Sequence, residues 1–124
     1  MTRILRGDFE TRSAIDLPKR GVHIYANDVS TDVWCFAYAF DDDPIKIWIQ
    51  GDSLPADLKN HIEQGGLFKA WNASFELAIW NSIMVPRYGW PVLRIDQCRC
   101  SMAAASAMSL PLSLDKAAKA LSLD

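Results

Sequence analysis

Asp8 and Glu10 stand two residues apart in the stretch Ile4-Leu5-Arg6-Gly7-Asp8-Phe9-Glu10-Thr11. An apolar run enters this stretch, and Asp-Phe-Glu interrupts what is otherwise a buried strand. In a strand, alternate side chains share a face. The two carboxylates are therefore expected side by side, roughly 6–7 Å apart along the backbone at about 3.3 Å per residue. Phe9 points the other way, into packing. Neighbouring carboxylates raise each other's pKa unless a cation neutralises them. Hard oxygen donors of this kind suit Mg²⁺ or Mn²⁺. The alternative is an edge-strand pair facing water.

A second group of candidates lies in Asn72-Ala73-Ser74-Phe75-Glu76. If Asn72 opens a helix, Glu76 follows one turn later on the same face. Alone, Asn72 is a plain helix cap and Glu76 an exposed helix residue. However, Phe75, Leu77, Ile79 and Trp80 surround Glu76 with apolar positions, which argues against simple exposure. Three acids converging on one point require cations. Two divalent ions about 4 Å apart among such acids form an apparatus for phosphodiester hydrolysis.

Other reactive residue types carry less. Cys35, Cys98 and Cys100 are odd in number and lack zinc-knuckle spacing, so they are expected to be reduced packing residues. His23 is expected to be structural, and His61 falls on the polar side of a helix. Asp41-Asp42-Asp43-Pro44 is expected to be a solvated hairpin tip.

The elements that must position these groups follow from periodicity. The first strand is expected to be followed by a loop of about twenty residues, 13–32, whose apolar segment Val22–Ala26 should pack back on the domain. Val33–Phe40 and the alternating Ile45–Gln50 are expected as an antiparallel pair. Ser53 is a fair cap for a helix over 56–64, with Leu58 and Ile62 on one face and Gly65-Gly66 ending it. Leu67–Trp71 forms a fourth strand leading into a largely buried helix over 72–84, which the proline-containing stretch 86–91 breaks. Val92–Asp96 is expected as a fifth strand. An alanine-rich helix over 98–108, a turn at 110–112 and a last helix over 114–121, capped by Ser113, complete the chain. Three strands followed by helix–strand alternation predict an α/β domain with a mixed sheet covered by helices. In such sheets a site forms where adjacent strands send their connections to opposite faces. The first and fourth strands are the candidates to lie there.

The whole chain bounds the function. Its 124 residues make one domain, half of them hydrophobic and 23% charged. The net charge of −2 argues against a large basic face for duplex DNA, though not against a nuclease whose metals supply the positive charge. No run approaches the ~18 apolar residues of a membrane span, and the expected location is cytoplasmic.

Asp8-Phe9-Glu10-Thr11 resembles the first motif of the DEDD-type 3′–5′ exonucleases, and Asn72–Glu76 resembles the second. More closely, the chain resembles the proofreading-exonuclease region of phage and prophage family A DNA polymerases. The resemblance rests on Asp-Phe-Glu-Thr-Arg-Ser at 8–13, Asn-Ala-x-Phe-Glu at 72–76 and Trp80-Asn81. It extends to Val-Pro-Arg-Tyr-Gly-Trp-Pro at 85–91, Cys100-Ser101-Met102-Ala103 and the Ser-Leu…Ala-Ala…Leu segment at 113–121.

That resemblance implies a ribonuclease-H-like fold, a mixed five-stranded sheet flanked by helices. It implies two Mg²⁺ or Mn²⁺ ions, a single-stranded DNA 3′ end as partner, and a phage- or prophage-encoded protein working in a bacterial cell. Asp8 would bridge the ions or hold the tighter one, and Glu10 would ligate the catalytic ion. Glu76, where most relatives have Asp, would hold the second. Asn72 would support the site by hydrogen bonding. Phe9 and Thr11 would contact the terminal nucleotide. Trp71 stands where His is expected, and would stack on a base or pack.

The third motif, Tyr-x-x-x-Asp or His-x-x-x-x-Asp, is absent from 97–124, as is any polymerase domain. The expectation is therefore a domain truncated at its C-terminus, weak or inactive as this chain, and dimerising through the surface left open. The competing reading is a non-catalytic ribonuclease-H-like module that binds nucleic acid or protein through Trp34, Trp48, Trp71, Trp80 and Trp90.

Overall fold

A computed structural model describes residues 3–101. The expected helices over 98–108 and 114–121, and the turn at 110–112, fall wholly or largely outside those residues.

Five strands form one mixed sheet in the order β3-β2-β1-β4-β5. They are β1 (Ile4–Arg12), β2 (Asp32–Phe40), β3 (Lys46–Ile49), β4 (Leu67–Ala70) and β5 (Cys98–Cys100). β1 is central, antiparallel to β2 and parallel to β4, and β2 and β3 form the expected antiparallel pair. β5 joins β4 in parallel. Helices α1 (Leu17–Arg20), α2 (Val22–Asn27), α3 (Ala56–Glu63), α4 (Ala73–Ile79) and α5 (Val85–Tyr88) flank the sheet. This is the mixed α/β, ribonuclease-H-like arrangement.

Alternation sorts the sheet into two faces. Leu5, Phe9, Phe36, Tyr38, Phe40, Trp48 and Phe68 are buried and share one core with residues of α2, α3 and α4. Aromatic rings dominate it. Phe36 lies 4.3 Å from Phe9 and meets Trp80 and Trp90 edge-on at 5.8 and 5.7 Å. Burying each such ring stabilises the fold by roughly 1.5–3 kcal/mol. Gly7 makes room for this packing, because a Cβ there would stand 2.2 Å from the Phe36 ring.

Several local expectations change. The residues 92–94 form no strand, and the fifth strand is Cys98–Cys100 instead. Asn81 explains why, since its side-chain amide bonds both the N–H and the C=O of Leu93, groups that a strand would give to its neighbour. The 86–91 stretch does not break the helix at its start. α4 runs through a π-helical turn (Trp80–Met84) into α5, where Pro86 occupies the first turn and Gly89, at φ 73°, ends it. The residue at the N-cap of α3 is Pro55, not Ser53.

In β3 the buried residue is Trp48, whereas Ile47 and Ile49 face outward on the opposite parity from Lys46 and Gln50. The loop expected over 13–32 contains α1 and α2 instead, and Val22–Ala26, within α2, packs back as expected, with Tyr25 and Ala26 buried and His23 exposed. Asp41 does more than tip a hairpin: its carboxylate and backbone N–H both bond Ile4, extending the ladder.

Candidate functional site

β1 pairs with β4 only from Ile4 to Arg6, after which the chain leaves β4 for α4. β1 runs on past that end. Its Phe9 N–H therefore has no strand partner on this side, and Glu76 Oε2 accepts its hydrogen bond at 3.2 Å. The topology thus brings a carboxylate from the first turn of α4 to the backbone atom between Asp8 and Glu10.

Glu76 is 4% exposed, so the apolar positions flanking it in sequence do bury it. Its pKa is pushed up to about 8, chiefly by burial; the Phe9 amide opposes the rise, and the nearby charges of Asp8 and Glu10 add to it. Asp8 is also raised, first by crowding of protein atoms and then by Glu10. Asp8 and Glu10 themselves are exposed on the face of β1 opposite the core. Glu76 therefore senses both Asp8 and Glu10 electrostatically, and Asp8 senses Glu10.

The chemistry of this set fits a divalent cation. The charges of Asp8 and Glu10 raise the proton affinity of Glu76, so this set of oxygen donors lacks positive charge, which a hard ion would supply. The set is open, however: no three His, Cys, Asp or Glu side chains among the described residues are grouped as a ready-made cage. Asp8 and Glu10, being exposed, have the rotamer freedom to close on an ion.

The remaining candidates divide. Asn72 stands at the N-cap position of α4, where its backbone C=O accepts from Phe75 and Glu76. Its side chain makes no capping hydrogen bond, so neither the cap nor the supporting role is visible in its contacts. Phe9 is 4% exposed with its ring in the aromatic core, so the expected contact of that ring with a nucleotide is corrected. Only its backbone amide reaches the site. Thr11 follows an irregularity in β1 pairing and turns away from the acids, its hydroxyl 2.8 Å from that of Tyr25. Trp71 is half-buried, and its C=O accepts from the Cys100 thiol. Trp48, Trp80 and Trp90 are core residues at 1%, 0% and 3% exposure, which removes them from any binding surface and leaves Trp34 exposed.

Sequence reasoning missed the Phe9 amide. Its signal is structural, for it depends on where β4 stops relative to β1.

No family model matches the chain. A search of curated proteins finds it 38% identical over 123 residues to the DNA polymerase of Bacillus phage SP02. The match covers 94% of this chain and 18% of that protein. Among the described residues no helix is long and apolar enough to cross a membrane.

Proposed function

We propose that this chain is a 3′–5′ exonuclease domain of the proofreading type, acting on DNA 3′ ends with two Mg²⁺ or Mn²⁺ ions. The observation that carries the reading is the delivery of buried Glu76 to the β1 backbone between Asp8 and Glu10. Its similarity to a phage DNA polymerase supports the same reading, since a polymerase meets 3′ ends.

Asp8, Glu10 and Glu76 would hold the ions, whose chemistry is to activate water and stabilise the departing 3′ oxygen. Glu76 is fixed by α4 packing and by the Phe9 amide, so it serves as the rigid wall of the site. Asp8 and Glu10 face outward and are the ligands a substrate phosphate can approach. The Phe9 amide keeps one Glu76 oxygen oriented, which leaves the other for the ion.

The test is a 5′-labelled single-stranded oligonucleotide incubated with Mn²⁺. Mn²⁺-dependent shortening from the 3′ end is expected, abolished by a chelator and by Asp8→Ala. Shortening that survives Asp8→Ala contradicts the proposal. So does the absence of both Mn²⁺-dependent shortening and Mn²⁺-dependent binding of the 3′ end.

A further inference from the structure

The face of the sheet that carries Asp8 and Glu10 also carries a row of three cations. Arg6 pairs in register with Lys69, and Lys69 pairs with Arg99. The row crosses β1, β4 and β5 and spans about 10 Å at the usual spacing between strands. All three side chains are exposed. Arg6 precedes Asp8 by two residues, so the row begins about 6–7 Å from the acids along β1.

Like charges placed directly opposite on neighbouring strands repel and destabilise a sheet. Here no acid among the described residues relieves that repulsion by an ion pair. The ion pairs that do form involve other residues: Arg3–Asp43, Lys46–Asp57, Arg87–Asp32 and Arg94–Asp96. Arg6 donates to the backbone C=O of Asp41, and Arg99 donates to the C=O groups of Asp96 and Cys98, all of them neutral acceptors. Even Asp8, the nearest carboxylate along the strand, makes no ion pair with Arg6. The chain is acidic overall at −2, which makes a three-cation row on this face a local feature and not a reflection of composition.

We infer that Arg6, Lys69 and Arg99 form a track for the phosphate backbone of a single nucleic-acid strand, leading its end to Asp8 and Glu10. This deepens the exonuclease reading and rests on it. The track also separates two tasks that one charge sign cannot perform together. The acids repel phosphate until cations bind, whereas the row attracts phosphates independently of metal and holds the strand beside the acids. Positive side chains along a groove are the usual electrostatic means of following a single strand.

The experiment is fluorescence anisotropy of a labelled oligothymidylate against salt concentration, with chelator present. Each lost phosphate contact on a single strand lowers the log–log salt slope by about 0.7. The double variant Lys69→Ala/Arg99→Ala is expected to reduce the slope by about 1.4 and to weaken binding. Its thermal midpoint should be unchanged or higher, since a repulsive row has been removed. A merely structural row would instead lower that midpoint and leave the salt slope alone.

Asp8→Ala, which removes the carboxylate site, is expected to keep the wild-type slope in chelator. Failure of the exonuclease reading and failure of this track therefore give different results. An unchanged slope and affinity in the double variant overturn the proposal. Equal affinity for inorganic polyphosphate overturns it as a nucleic-acid track.

Discussion

The Phe9 N–H donates to Glu76 Oε2 at 3.2 Å across 67 positions of sequence. One bond ties the strand that presents the acids to the helix that supplies the third. It also satisfies a backbone donor that β4 is too short to reach. Replacing Glu76 by Leu should leave that buried donor unpaired, at a cost of about 1–3 kcal/mol. Glu76→Gln, which keeps an acceptor oxygen without the buried charge, should raise stability near pH 7. Urea denaturation of both variants checks this.

The same carboxyl makes stability depend on pH. In the folded chain its pKa stands at about 8, against an ordinary value of 4.5. The folded state therefore binds the proton more tightly than the unfolded state, and stability falls as pH rises between those values. The total loss is of order 5 kcal/mol at 1.36 kcal/mol per pKa unit. Raised Asp8 acts in the same direction. Glu76→Gln should flatten most of the slope between pH 4.5 and 8.5, measured by denaturant midpoints. A slope unchanged in that variant contradicts the burial argument.

Gly7 lies between the cation row and the acids, with its backbone against the Phe36 ring. A Cβ there would meet the ring at 2.2 Å and the Phe68 ring at 3.1 Å. Both rings are fully buried, so neither can withdraw into solvent. Gly7→Ala is expected to destabilise the fold by about 1–3 kcal/mol through overpacking. Thermal unfolding reports it, and an unchanged midpoint contradicts the packing described.

Thr11 and Tyr25 share one hydroxyl–hydroxyl hydrogen bond at 2.8 Å that fastens α2 to β1. Thr11→Val and Tyr25→Phe should each cost about 0.5–1.5 kcal/mol. The double variant should cost no more than the larger single loss, because both remove the same bond. Additive losses contradict the assignment of Thr11 to this contact.

Sequence patterning was most informative where alternation and burial coincide. The β1 face assignment, the antiparallel pairing of β2 with β3 and the burial of Glu76 all follow from side-chain period and apolar neighbours. Other features depend on tertiary partners. Asn81 takes up the backbone of Leu93 and moves the last strand to Cys98–Cys100. The π-helical turn carries α4 past the point where Pro86 suggested a stop. The isoleucines of β3 are the outward residues because Trp48 fills the core beneath that strand. Within the site, residue types identified the acids, but the alternation that aims Phe9 inward also removes its ring from the substrate side. The bond that fixes Glu76 comes from a backbone group, which no residue type announces.

The central claim is that Asp8, Glu10 and Glu76 form one cation site. Calorimetric titration of Mn²⁺ into the wild-type chain and into Asp8→Ala, at pH 8, tests it most directly. Saturable binding is predicted in the wild type and its loss in the variant, whose midpoint of unfolding without metal should be equal or higher because a crowded charge is gone. Equal Mn²⁺ affinity in the two proteins would contradict the account.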